Sequence, residues 1–149
     1  MATTWIVAAD ASRARIFEMG ARVDDDDPRE IDDLTNPQGR LQDREVNTDA
    51  HGRFYGGNAP RAHSAAQAVT PEQHNTELFS KEVGRYLDKA RTQHRYDRLC
   101  VIAPPEFLGL MRKNMTDETR KLVDTEVDKD LSKSAPAEIR RCIEQQRQR

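Results

Sequence analysis

Thr4-Trp5-Ile6-Val7-Ala8-Ala9-Asp10-Ala11-Ser12-Arg13-Ala14-Arg15-Ile16-Phe17-Glu18-Met19 is the stretch on which the fold turns. Its first six residues form a nearly continuous apolar run that stops at a turn signal, the pattern of a strand buried on both faces. Asp10 and Ser12 suit a turn because their side chains bond nearby backbone amides, and a strand pattern resumes from Ala14 to Met19. The expectation is a hairpin whose first arm is a central strand. A weaker strand, Arg29 to Leu34, follows an acidic turn and is closed by Asn36-Pro37, which predicts an edge position.

Further along, Thr70-Pro71-Glu72-Gln73 combines an N-cap, a proline at the first helical position and a capping-box glutamine. Phe79, Val83, Tyr86, Leu87 and Ala90 then recur at helical spacing, so the helix is expected to run from 71 to about 92. Tyr96 to Ala103 contains Leu99-Cys100-Val101-Ile102-Ala103, a second strand buried on both faces, and Pro104-Pro105 stops it and opens a helix through about Asn114. Phe107, Leu108, Met111 and Met115 give that helix its core stripe. Thr116 suits the cap of a short helical turn. Val123, Thr125 and Val127 alternate with Asp124, Glu126 and Asp128, as in a half-exposed strand. A last helix turns Ile139, Cys142 and Ile143 inward, and the polar residues 144–149 are expected to form a frayed tail.

This order predicts one α/β domain over residues 1–143, with a mixed, partly parallel β-sheet flanked by helices. If the strands at 4–9, 97–103 and 122–128 run parallel, their carboxyl ends bring Asp10 to Arg13, Pro104 to Glu106, and Lys129-Asp130 to one edge of the sheet. The amino end of the 71–92 helix belongs at the same edge. Ligands of open α/β sheets bind in such a crevice, where helix amino termini favour anions.

Composition narrows the class of protein. The 149 residues are 34% charged and 36% hydrophobic, with a mean hydropathy of −0.91. No run approaches the roughly 18 apolar residues of a membrane span. Trp5 to Ala9 ends at Asp10 without a basic leader or a cleavage-like site, so the expected location is the cytoplasm, without membrane insertion. Cys100 and Cys142 fall in apolar settings and read as reduced core residues. The four aspartates at 24–27 lack the turn glycine and terminal glutamate of a calcium loop, and His51, His63, His74 and His94 have no metal-ligand spacing. No metal and no cofactor are expected.

The net charge of −2 hides an uneven distribution. Acidic residues crowd positions 24–33, whereas residues 50–71 carry Arg53 and Arg61 with no carboxylate among them. From Asn47 to Thr70, roughly 24 residues show no sustained apolar period, and loops of that length in compact domains are functional or disordered. The expectation is a mobile loop over about 47–70. Its middle, His51-Gly52-Arg53-Phe54-Tyr55-Gly56-Gly57-Asn58, joins permissive glycines to a cation and two aromatics. Phe54 and Tyr55 suit stacking on bases, as in readers of single-stranded RNA, or pinning of the loop to the domain.

Three ordered motifs carry a resemblance: Thr4 to Phe17, Tyr96-Asp97-Arg98-Leu99 leading into Ala103-Pro104-Pro105-Glu106-Phe107-Leu108-Gly109, and Glu126-Val127-Asp128-Lys129-Asp130-Leu131. Together they resemble the bacterial family labelled host-attachment protein, or protein required for attachment to host cells. That family is in turn similar to the middle domain of archaeal and eukaryotic peptide chain release factors, which implies a mixed-sheet fold and a role at the ribosome. The release-factor domain carries a basic, glycine-rich loop ending in Gly-Gly-Gln before a long helix, and the glutamine helps to position water against the peptidyl-transfer RNA ester. Here Gly56-Gly57 is followed by Asn58, one methylene shorter, and Phe54-Tyr55 stretches the spacing from His51-Gly52-Arg53. Positioning a nucleophile tolerates little displacement.

The leading expectation is therefore a noncatalytic factor that associates with the ribosome or with structured RNA. Its candidate contacts are Arg53, Phe54, Tyr55, Gly56, Gly57 and Arg61 in the loop, and Arg13, Arg15 and Lys129 at the sheet edge. An enzymatic alternative is an esterase or hydrolase acting on aminoacyl or peptidyl RNA, for which Asn58 and Asp10 are the candidate residues. A third reading is a protein-interaction factor that affects host attachment or the stress response indirectly, since the family label describes a phenotype.

Overall fold

The computed structural model describes residues 3–20, 27–36 and 70–147. The chain order is β1 (Thr4–Ala9), β2 (Arg13–Met19), β3 (Arg29–Thr35), α1 (Pro71–Thr92), β4 (Arg98–Ile102), α2 (Pro105–Asn114), α3 (Asp117–Lys121), β5 (Val123–Val127) and α4 (Pro136–Arg147). The five strands form one mixed sheet in the order β3-β2-β1-β4-β5. β1 pairs antiparallel with β2, as does β2 with β3, whereas β4 is parallel to both β1 and β5. The expected mixed α/β architecture, the central position of β1 and the edge position of β3 are all present.

The alternation of side chains along β1 divides the core into two layers. Trp5, Val7 and Ala9 face one side with Leu99 and Val101, beneath Phe79, Val83 and Leu87 of α1 and Phe107, Leu108 and Met111 of α2. Ile6 and Ala8 face the other side with Phe17, Cys100, Ile102 and Val127, beneath Ile139 and Ile143 of α4. All six β1 residues are buried, which is why the sequence from Trp5 to Ala9 is an unbroken apolar run rather than an alternation.

The helix ends follow from local chemistry. Thr70 Oγ1 accepts the Gln73 amide at 3.1 Å while Gln73 Oε1 accepts the Thr70 amide at 3.0 Å, closing the capping box. Thr116 caps α3 through its Oγ1, which accepts the Thr119 amide at 3.1 Å. α1 and α2 approach closely at Gly84, where an added Cβ would lie 2.5 Å from the Asn114 carbonyl oxygen. One turn earlier, Asn114 Nδ2 donates to Ser80 Oγ at 2.9 Å.

α4 continues through Glu144 to Arg147, and Arg147 reaches the strand layer, with Nη2 3.7 Å from Cys100 Sγ and 3.6 Å from Asp124 Oδ2.

Candidate functional site

The carboxyl ends of β1, β4 and β5 share one edge, as parallel pairing requires. β1 leaves the sheet at Asp10, whose amide donates to the Arg13 carbonyl at 2.8 Å and closes the hairpin. Asp10 Oδ1 accepts the amides of Ser12 at 2.7 Å and Arg13 at 3.0 Å, so the carboxylate organises the turn that the sequence assigns to it. The end of β3 wraps this turn. The Asn36 amide donates to the Ser12 carbonyl at 2.8 Å and Asn36 Nδ2 to the Ala11 carbonyl at 3.0 Å.

The segment after β5 repeats the motif. Asp130-Leu131-Ser132 forms a second Asp-x-Ser turn, with the Ser132 amide 3.1 Å from Asp130 Oδ1. Ser132 is fully buried, and its Oγ lies 2.7 Å from Asp130 Oδ1 and 2.8 Å from Asp10 Oδ2. A hydroxyl has one proton to donate, so Ser132 serves two carboxylates with a single donor and ties the ends of β1 and β5 together. Its oxygen is enclosed by the turns it joins and is not presented to a substrate. Sequence reasoning missed Ser132; the repeated Asp-x-Ser signal at 10–12 and 130–132 was the available clue.

The sequence-predicted cations divide into two settings. Arg13 sits beside the turn and pairs with Asp33 at 2.9 Å, its side chain 32% exposed. Lys129 is exposed on the loop after β5. Arg15 is held inside, at 11% exposure. Its Nε and Nη2 meet Glu30, Nη1 donates to the carbonyls of Ser134 at 2.7 Å and Ser132 at 3.2 Å, and its guanidinium lies 4.8 Å from the centre of the Phe17 ring. Arg15 thus fixes the 130–134 turn against the β2–β3 hairpin. Arg53, Phe54, Tyr55, Gly56, Gly57, Asn58 and Arg61 lie outside the described residues.

The edge as described is not strongly basic. Asp10, Asp128, Asp130 and Glu106 stand beside Arg13, Lys129 and Lys133. Among the described residues, no three His, Cys, Asp or Glu side chains converge as a metal set would require, and no helix is long and apolar enough to cross a membrane. A groove of about 660 Å³ lies away from the edge, between α3 and the outer side of β5. Glu118, Lys121, Asp124 and Glu126 line it, giving charges of both signs.

Two further clusters are structural in character. Asp88 Oδ1 collects Arg91, Thr116 and Thr119, and the hydrogen bonds from Arg91 and then Thr116 hold its carboxyl below the ordinary value. The Cys100 thiol is pushed up to about 11, first by burial and then by the Asp124 carboxylate, which keeps it protonated and unreactive near neutral pH.

Comparison with known proteins adds an ancestry. A family model described as "Protein required for attachment to host cells" matches residues 5–143. An uncharacterized protein, RP470, of Rickettsia prowazekii (strain Madrid E) is 32% identical over 66 residues, which is 43% of this chain and 44% of that protein. The alignment with this relative thus spans less than half of its length.

Proposed function

This chain belongs to the family of proteins required for attachment to host cells, and from that membership we propose a noncatalytic, cytoplasmic factor that associates with the ribosome or with structured RNA. The observation that carries the reading is the gathering of three strand ends at one edge, where the β1 and β5 turns are locked by Ser132 and leave Lys129 exposed and Arg13, paired with Asp33, part-exposed. A rigid edge of this kind presents cations without paying to order them on binding. Arg53 and Arg61 would add phosphate contacts, and Phe54 and Tyr55 would stack on bases. Arg15 would act by holding the edge rather than by touching nucleic acid. A role like that of the middle domain of peptide chain release factors, which the motif resemblance implies, would set the protein at the ribosome. Effects on host attachment would follow indirectly, through translation.

The noncatalytic part rests on the chemistry of the edge. Asp10 has one oxygen committed to two backbone amides and the other to Ser132, and Ser132 is enclosed. Neither is placed as a nucleophile or as a free general base. The test is binding of the purified protein to ribosomal RNA, followed by fluorescence anisotropy across a salt series. The reading expects affinity that falls with salt, and a loss of about 1 to 3 kcal/mol per stacked base in a Phe54→Ala/Tyr55→Ala variant. Absence of binding at low salt would refute it, as would hydrolysis of a peptidyl-transfer RNA ester that Asn58→Ala abolishes without unfolding.

A further inference from the structure

The α1 face opposite the core carries cations in a row. Phe79, Val83, Leu87 and Ala90 turn one side of α1 into the sheet, so residues near Arg85 point away from it. Lys81, Arg85 and Lys89 recur every fourth position and are all exposed, which stacks them along one face at intervals of about 6 Å. His74 and Leu78 extend the same stripe toward the amino end of the helix, and Leu78 is 46% exposed.

The carboxylates near this row are largely engaged elsewhere. Glu77 pairs with Lys113 at 3.0 Å, with Lys81 and His74 adding weaker attraction, and Asp88 turns to Arg91, Thr116 and Thr119. Glu82 is the acid that remains beside the stripe. Lys81, Arg85 and Lys89 form no ion pair among the described residues. Helix-dipole complementation explains cations in the last turn, such as Lys89, but not Lys81 and Arg85 in the middle of the helix.

We infer that the outward face of α1, through Lys81, Arg85 and Lys89, is a docking surface for the phosphate backbone of RNA. The inference rests on the RNA-association reading and supplies what the sheet edge lacks, because the described edge carries about as many carboxylates as cations. A straight row of charges matches a linear polyanion better than the compact acidic patch of a folded protein. The apolar side of α1 is already spent in the core, which leaves no hydrophobic face to enter a bilayer. The row runs from the level of the Phe79–Phe107 contact, near the start of α2, toward the opposite edge of the sheet, so RNA held at the edge would continue along the helix.

The experiment compares the full-length protein with a Lys81→Gln/Arg85→Gln/Lys89→Gln variant. Their binding to ribosomal RNA and to a polyuridylate oligomer is measured across a salt series. An Arg98→Gln/Arg120→Gln/Lys121→Gln variant removes the same charge near the amino ends of β4 and β5, and circular dichroism verifies that each variant is folded. The expected result is a slope of log affinity against log salt that is shallower by about two in the α1 variant, from three lost contacts at about 0.7 each, with the control variant close to the parent. If the parent binds RNA and the α1 variant keeps its slope, or if the control loses as much, this surface is overturned while the RNA-association reading stands. If the parent does not bind RNA, both fall. Binding to phosphatidylserine vesicles, lost in the α1 variant and without RNA binding, would assign the row to a membrane surface and overturn the inference.

Discussion

Replacing Gly84 with alanine tests the packing that fixes α1 over the sheet. In an exposed helix this change normally stabilises, since glycine costs about 0.5 to 1 kcal/mol relative to alanine. At Gly84 the new methyl carbon would sit 2.5 Å from the Asn114 carbonyl oxygen and 3.3 Å from its carbon, against the 3.4 Å at which ordinary van der Waals contact begins. Both obstacles are backbone, so no side chain can rotate aside and the helices must separate. A radial gap of about 0.5 to 1 Å forfeits a quarter to a half of each dispersion well, and here it would strain the Ser80–Asn114 hydrogen bond and the Phe79–Phe107 contact. Overpacking at the upper end of its range, about 3 kcal/mol, less the helix gain, leaves a net loss of about 2 kcal/mol. That corresponds to a fall in Tm of about 4 to 8 °C for a chain of this size. Gly109 on α2 is the matched control, because a Cβ there meets nothing within 4 Å and Gly109→Ala should stabilise by up to about 1 kcal/mol. Urea denaturation followed by circular dichroism reads both. A Gly84→Ala variant as stable as the parent, or a destabilised Gly109→Ala variant, would refute the reasoning.

The other expectations concern particular groups. Arg15→Ala should cost about 2 kcal/mol and accelerate hydrogen exchange over residues 130–134, because it removes charge-assisted bonds to Glu30 and to two loop carbonyls; Arg15→Lys should recover little, lacking the planar fork. Unchanged exchange in that loop would show that Arg15 does not hold it. Asp88 is depressed below 3.8 in the folded state, chiefly by Arg91, so its stabilising contribution is present above 3.8 and is lost as the pH falls through the lower folded value. Asp88→Asn should therefore flatten the acid limb of stability against pH, and an identical limb would contradict the assignment. Alkylation of the folded protein should modify the half-buried Cys142 before the buried, protonated Cys100, and the reverse order by mass spectrometry would count against the described burial.

Legibility in the sequence followed the range of the interaction. The run at 4–9, the Pro104-Pro105 stop and the Thr70-Pro71-Glu72-Gln73 cap are decided by neighbours a few residues away, and each marks an element in the structure within a residue or two. The turn role of Asp10 was legible for the same reason. Ser132 was not, because its meaning depends on Asp10, a partner 122 residues distant. Arg15 read as a surface cation for a similar reason: its partners Glu30, Ser132 and Ser134 come from two other segments. Arg147 read as part of a polar tail because its neighbours, Cys100 and Asp124, come from two strands distant in the sequence. The row at Lys81, Arg85 and Lys89 was not read from the sequence, because it gains meaning only once the buried side of α1 is known.

Association with the ribosome is the central claim, and co-sedimentation of the full-length protein with ribosomal fractions at low and at moderate salt tests it most directly. The account predicts that the protein pellets with ribosomes at low salt, that release rises steadily with salt, and that the Lys81→Gln/Arg85→Gln/Lys89→Gln variant is released at lower salt than the parent. A protein that stays in the supernatant at low salt, with the ribosomes intact and the protein folded, would contradict it.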